Sequence, residues 1–369
     1  MRVAVEDILR WLRRWLRVLR AVRRLGASDA SDAQGRSLWY PRAASGPASS
    51  PEAKANPAPC ANLAPVAPIA GANLPESMSD SPLTTARNYL DLTKPRLLPM
   101  VLFTGLPALA MASGHWPSFS FTLLVMTGIA LAAASANTLN AYIERDKDAL
   151  MQRTRSRPLP AGLIPPRSAL VFGLGLGVLS TALLAIVSGA TAALVGVASI
   201  LFYVFVYTIW LKPRSIWNAV IGGAAGAAAP LIADAAVNGT IGLAGWTLFA
   251  IVFFWQPPHV WAIALYRKDD YRAAGIPMPP EVIGDEATRK RIVWYTAGLL
   301  PVTVAPYFLG LTGPIYLAVA AAMGIWFLYR SWRLFEERTD EAAQGVFRVS
   351  LVFLFGVFLA LLVDLMVRL

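Results

Sequence analysis

Residues 137–160, NTLNAYIERDKDALMQRTRSRPLP, open as the last turns of an apolar helix and end in a basic loop stopped by prolines. Asn140, Glu144 and Asp148 stand at i, i+4 and i+8. At about 100° per residue they drift by only ~40° per step, so one helix face carries all three oxygen-bearing side chains. Arg153, Thr154, Arg155 and Arg157 follow at once. Oxygens able to hold a hard cation, beside guanidiniums able to clamp phosphate, describe a metal–diphosphate site at a membrane surface. A helix C-terminus disfavours carboxylates, so acids kept there need a reason, and a bound Mg²⁺ supplies one. An ordinary charged helix end with solvated ion pairs is the plainer alternative.

The rest of the chain sets this stretch in a membrane. Of 369 residues, 56% are hydrophobic and 15% charged. Apolar runs recur that are long enough, at 1.5 Å per residue, to cross a hydrocarbon layer of about 30 Å. They predict an all-α polytopic membrane protein with nine transmembrane helices, over 97–114, 118–143, 168–187, 191–211, 217–236, 244–266, 292–311, 314–330 and 347–367. The connections after the first, third, fifth and seventh spans are short and lack Lys, Arg, Asp and Glu. Those after the second, fourth, sixth and eighth are basic, which puts them and the N-terminus in the cytoplasm. The net charge of +11 therefore does not imply a nucleic acid partner. Eight arginines against Glu6 and Asp7 put +6 of it in the first 25 residues, and loops hold most of the remainder. The single cysteine, Cys60, excludes an internal disulfide, and His115 and His259 are the only histidines.

Three regions follow. Residues 1–25 alternate apolar and arginine-rich faces and read as an amphipathic helix lying on anionic lipid; a mitochondrial transit peptide and an over-early start codon are the alternatives. Residues 26–86, rich in Ala, Pro, Ser, Asn and Gly, read as a disordered linker. Residues 87–369 form the nine-helix domain.

A second polar cluster follows the sixth span, where Asp269, Asp270, Tyr271 and Arg272 precede GIPMPP. On the same membrane face as the first cluster, its aspartates are candidates for a second Mg²⁺ on the same phosphates. Alone, two aspartates in a loop are weak evidence. His259, in QPPHVW, is an ionisable group at membrane depth and so a site candidate; a neutral imidazole bonded to a carbonyl freed by the prolines is the alternative. Lys94 and Arg96 before the first span, and Lys212 and Arg214 after the fourth, share the cytoplasmic face and are either phosphate ligands or topology anchors. Asp234 and Asp364 read as interfacial. Gly222, Gly223, Gly226 and the small residues 132–136 allow close helix packing.

LTKPRLLPM, NAYIERDKDALMQRTRSRPLPAG, YTIWLKPRSIW and WQPPHVWAIALYRKDDYRAAGIPMPP together resemble the haem O synthase (protohaem IX farnesyltransferase) branch of the UbiA-type intramembrane prenyltransferases. The likeness covers about residues 88–369. It implies a nine-helix bundle around a central cavity, Mg²⁺ as the required ion, and farnesyl diphosphate and protohaem IX as substrates. The products would be haem O and diphosphate, with haem as substrate rather than fixed cofactor. It implies metal and catalytic roles for Asn140, Glu144, Asp148 and Asp270, with Asp269 beside them. Lys94, Arg96, Arg153, Arg157, Lys212 and Arg214 would bind diphosphate, and His259 and Tyr271 are candidates to touch haem. Glu144 stands where the wider superfamily usually has Asp. The implied setting is a bacterial inner membrane, with the mitochondrial inner membrane as second choice. Membrane lipid, and haem A synthase or oxidase assembly factors, are the implied partners. A UbiA-type enzyme with a 4-hydroxybenzoate or chlorophyllide acceptor, a haem-delivery protein and a transporter are the alternatives. The last would carry its charges deep within spans rather than at helix ends.

Overall fold

The computed structural model describes residues 82–368, and every element among them is helical. The expected surface helix over 1–25 lies outside the described residues, as does the expected linker up to residue 81. Helix α1 (Pro82–Leu92) takes in the last residues of that linker stretch. Then come α2 (Leu98–Ser113), α3 (Phe119–Leu150), α4 (Pro166–Ser188) and α5 (Ala190–Leu201), which runs on as a π-helix over Phe202–Leu211. The second half holds α6 (Asn218–Gly226), α7 (Ala229–Asn238), α8 (Leu243–Tyr266), α9 (Lys268–Ala273), α10 (Pro279–Val282), α11 (Asp285–Phe308), α12 (Pro314–Glu337) and α13 (Asp340–Arg368).

Among the described residues, seven helical units are long and apolar enough to cross a membrane: α3, α4, α5 with its π-helix, α6 with α7, α8, α12 and α13. The expected count of nine is not reached by that measure. Helix α2 is apolar but only 16 residues long. Helix α11 opens on the charged run DEATRKR and contains Pro301 and Pro306. Several helices outrun their apolar cores. Helix α3 continues to Leu150, so Glu144 and Asp148 are helical, and α12 and α13 leave only Arg338 and Thr339 between them. Pairs one turn apart, Arg333 with Glu337 and Trp332 with Glu336, support that extension. The fifth span breaks at Ala227–Ala228, because Pro230 sits in the first turn of a new helix, where its missing N–H costs nothing.

The outer surface confirms the solvent. Ile186, Phe119, Val171 and Leu194 are more than two-thirds exposed, whereas Asp234, Asp364 and Ser135 are buried. An apolar exterior around a partly polar interior is what lipid selects. Helices α3 and α4 close on small residues: Ser135 Oγ donates to Gly173 O and Ser180 Oγ to Gly128 O, both at 2.7 Å. A Cβ on Gly128 would come within 2.6 Å of Leu184. One residue, Gly189 (φ 86°), makes the whole turn from α4 to α5, a left-handed backbone that favours glycine.

The two aspartates expected at the interface are buried caps on the starts of neighbouring helices. Asp234 Oδ2 accepts from Gly242 N and Gly245 N, both at 2.8 Å, at the start of α8. Asp364 accepts from Gly313 N (2.6 Å) and Tyr316 N (3.2 Å) at the start of α12. Each carboxylate satisfies N–H groups that the helix cannot bond itself. Asp234→Ala and Asp364→Ala should each destabilise the bundle by about 1–3 kcal/mol, the cost of leaving such donors buried and unpaired. Thermal unfolding in detergent reads this out, and an unchanged midpoint would show that the caps do not hold the helix starts.

Candidate functional site

The site grows from one face of α3. Ile129, Ala132, Ala133, Ala136 and Asn137 line a cavity of about 340 Å³, and Asn140, Glu144 and Asp148 continue the same face toward the helix end. The cavity is otherwise walled by Val101, Tyr203, Tyr207, Gly222, Gly226, Ala229 and Gln256 among others, and is mostly apolar. Two departures from regular backbone bring the polar partners in. Lys94 lies in the left-handed region (φ 55°), uncommon for a residue with a Cβ, and Asn137 Nδ2 donates to Thr93 O at 3.0 Å to hold that turn on α3. The π-helix shifts its carbonyls by one residue, so that Thr208 Oγ1 donates to Tyr203 O, five residues back.

Asn140 then joins everything. Its Oδ1 accepts from Lys94 Nζ at 2.7 Å, and its Nδ2 donates to Glu144 Oε2 (2.9 Å) and Thr208 Oγ1 (3.1 Å). Glu144 Oε2 also accepts from Lys212 Nζ at 2.7 Å. Asp148 Oδ2 accepts from Arg157 at 2.8 Å, while Thr154 Oγ1 donates to the Asp148 carbonyl and caps the helix. Asn140, Glu144 and Asp148 are all buried.

Three cations thus face two carboxylates in a place water reaches poorly. Burial first, then the charges of Arg157 and Lys212, push Lys94 down to about 7, against the pull of Glu144 and Asp148. Lys212 is held above the ordinary lysine range: burial works against its charge, and Tyr207 and Glu144 outweigh it. A lysine that burial leaves so ready to shed its proton would be held protonated by an arriving anion, so the cluster is suited to one.

The donor set fits a divalent ion only if the ligand shares it. Among the described residues no three His, Cys, Asp or Glu gather to hold a metal. Yet Glu144 and Asp148 are each engaged through one oxygen, leaving Oε1 and Oδ1 without a partner among the described residues. Mg²⁺ commonly takes one or two carboxylates and completes its octahedron with water and phosphate oxygens.

The other expected residues lie further out. Arg96 and Arg153 are exposed. Arg214, also exposed, donates to Ile209 O and Trp210 O at the end of the π-helix. Asp269 is exposed and paired with Arg272 at 3.0 Å, and Asp270 is half-buried. Tyr271 packs with Met151, Ala264, Ile276 and Met278, which ties the second loop to the end of α3. His259 faces α13 rather than the cavity, stacked on Trp255 and against Phe347. Its Nδ1 is 2.6 Å from Ser350 Oγ, whose proton goes to Phe347 O, so Nδ1 is assigned the donor and Nε2 keeps a lone pair.

Sequence reasoning missed Thr208 and Asn218. Asn218 Nδ2 donates to Ser215 O and Pro277 O, joining two loops beside the cavity. Both are lone polar residues at the edge of apolar runs, a signal that was present in FYVFVYTIWL and in WNAVIGG.

The UbiA prenyltransferase family pattern matches residues 101–362. Two similar relatives are both named protoheme IX farnesyltransferase. That of Acidiphilium cryptum is 44% identical over 290 residues, covering 76% of this chain and 91% of the relative. That of Gloeobacter violaceus is 45% identical over 284 residues, covering 76% and 93%. Among solved structures, a digeranylgeranylglyceryl phosphate synthase superposes with TM-score 0.65 at 21% identity, covering 76% of this chain and 98% of that one. A UbiA homolog from Archaeoglobus fulgidus bound to GPP and Mg2+ gives 0.53 at 18%, covering 74% and 99%. These two likenesses show the fold.

Lys94→Met should weaken binding of inorganic pyrophosphate roughly tenfold, one charge-assisted contact, while Arg145→Met, whose guanidinium lies on Tyr142, changes it little. Calorimetric titration measures both, and equal effects would remove the special role of the Lys94 turn.

Proposed function

The chain belongs to the UbiA prenyltransferase family, and from that premise we propose that it transfers the farnesyl group of farnesyl diphosphate to a vinyl group of protohaem IX. The observation that carries the reading is the cationic, carboxylate-bearing cluster set at the mouth of an apolar cavity on one helix face. From Asn140 to Ile129 that face runs for about 16 Å, room for an isoprenoid tail below a diphosphate head. The acceptor is inferred from the relatives' name and from the PPHVWAIA and GIPMPP stretches.

In this mechanism Lys94, Lys212 and Arg157 hold the diphosphate oxygens, and Asn140 orients Lys94 and Glu144. Glu144 and Asp148 would hold Mg²⁺, with Asp270 a candidate for a second ion on the same phosphates; a bound ion would stabilise charge growing on the departing diphosphate. The C1–O bond breaks and its electron pair leaves with the diphosphate. The vinyl group then gives its π electrons to C1, and water adds to the resulting cation and loses a proton. Protohaem, farnesyl diphosphate and water thus become haem O, diphosphate and a proton. No protein nucleophile is required. The apolar wall from Ile129 to Ala136 keeps bulk water from the allylic cation.

The inner membrane of a bacterium, with the site loops and N-terminus cytoplasmic, is the proposed setting; the basic loops and the bacterial relatives support it. His259 and Tyr271 are proposed to contact haem, and residues 87–369 to form the catalytic domain.

Incubation of the purified protein with haem, farnesyl diphosphate and Mg²⁺, followed by reverse-phase chromatography with mass detection, tests the reading. A later-eluting haem carrying a farnesyl and a hydroxyl, absent from Asp148→Ala, is expected. Unchanged haem from well-folded wild type, with an aromatic acceptor prenylated instead, would reassign the acceptor. Ala133→Phe, which fills the cavity midway, should leave geranyl diphosphate binding largely intact and weaken farnesyl diphosphate about tenfold. Equal affinities would place the tail elsewhere.

A further inference from the structure

At the cytoplasmic ends of α8 and α13 a second pocket of about 380 Å³ lies between Tyr266, Arg267, Asp340, Gln344, Phe347 and Arg348. Among the described residues neither Arg267 nor Arg348 makes an ion pair; Arg267 instead lies over the Tyr266 ring at 5.7 Å. Two guanidiniums against Asp340 leave one positive charge unbalanced. Basic residues on this face serve as topology anchors when they stand on open surface. Arg267 and Arg348 are exposed, but they line a concavity with an aromatic wall, beside the loops that carry the diphosphate site.

Behind the inner wall of this pocket lies an imidazole. Phe347 lines it and also packs on His259, at 4.9 Å between ring centroids. His259 and Tyr266 lie on one face of α8, two turns or about 10 Å apart. A ligand with two carboxylates on one edge of a flat apolar body matches this order of groups: cations at the mouth and aromatic rings along the wall.

We propose that this pocket is the carboxylate subsite for the acceptor. Arg267 and Arg348 hold the two propionates, and the macrocycle lies along Phe347. The inference rests on haem being the acceptor. Arginine suits the task because its planar fork meets a carboxylate with two parallel hydrogen bonds. Anchoring the carboxylates at the membrane surface turns the opposite, vinyl-bearing edge of the ring away from water. The pocket is therefore a positioning device for the acceptor, separate from the groups that ionise the donor.

The test is a spectrophotometric titration of the full-length protein in lipid nanodiscs with haem b and with its dimethyl ester, in which both carboxylates are masked. Wild type should bind haem b roughly tenfold or more tightly than the ester. Arg267→Gln/Arg348→Gln should lose that preference, binding haem b as weakly as the ester, while its affinity for inorganic pyrophosphate stays at the wild-type value and shows the fold intact. A double variant that keeps the wild-type preference overturns the subsite and leaves haem as acceptor. Equal wild-type affinity for haem b and its ester does the same. Wild type that binds neither form sinks the acceptor reading and the subsite with it. If the double variant loses pyrophosphate binding, Arg348→Lys provides the second reading: it keeps the charge but not the fork, and unchanged haem preference there would also count against the proposal.

Discussion

Two carboxylates buried in the last turns of α3 are the constraint on which the remaining site depends. Glu144 and Asp148 stand where the helix dipole opposes them and where burial removes the water that would stabilise their charge. Such groups persist only with partners, and each has one at hydrogen-bond distance: Lys212 for Glu144 and Arg157 for Asp148. Those cations come from two different loops, so the electrostatic need of one helix end fixes how the chain returns after α3 and after the π-helix. Lys94 brings a third basic group from a left-handed turn before α2, and burial loosens its proton. A diphosphate beside it would restore that charge and be held by it.

Backbone irregularity serves the same end. The π-helix brings Thr208 to Asn140 and sets Tyr207 against Gly222, where a Cβ would lie 2.1 Å from the ring. The break between α6 and α7 leaves Ala228 and Ala229 on the cavity wall. On the far side of the bundle, Asp234 and Asp364 close helix starts that would otherwise leave N–H groups unpaired in an apolar setting. Polar atoms are thus concentrated at helix ends and rationed elsewhere, as a lipid solvent requires.

The fold and the heart of the site were legible because both rest on periodicity. Spacing of i, i+4 and i+8 places Asn140, Glu144 and Asp148 on one face whatever the rest of the chain does, and apolar runs announce membrane helices. What was not legible depends on contacts distant in sequence. Which arginines turn inward is decided by packing: Arg157 reaches Asp148, whereas Arg214 folds back on its own helix carbonyls. Asp234 and Asp364 looked interfacial because their partners are the backbones of other helices. His259 was noticed as an ionisable group at depth, but only the α8–α13 contact reveals that Ser350 fixes its tautomer. Alternating loops alone do not establish the count of nine spans, since α2 is short and α11 is charged at its start.

The central claim is that Glu144 and Asp148 hold a divalent ion together with a diphosphate. Calorimetric binding of a non-hydrolysable farnesyl diphosphate analogue, with and without Mg²⁺, in wild type and Asp148→Asn, tests it most directly. The account predicts that Mg²⁺ strengthens wild-type binding by roughly tenfold or more and that this coupling vanishes in the variant. Binding that is indifferent to Mg²⁺, or coupling that survives the loss of the Asp148 charge, would contradict it.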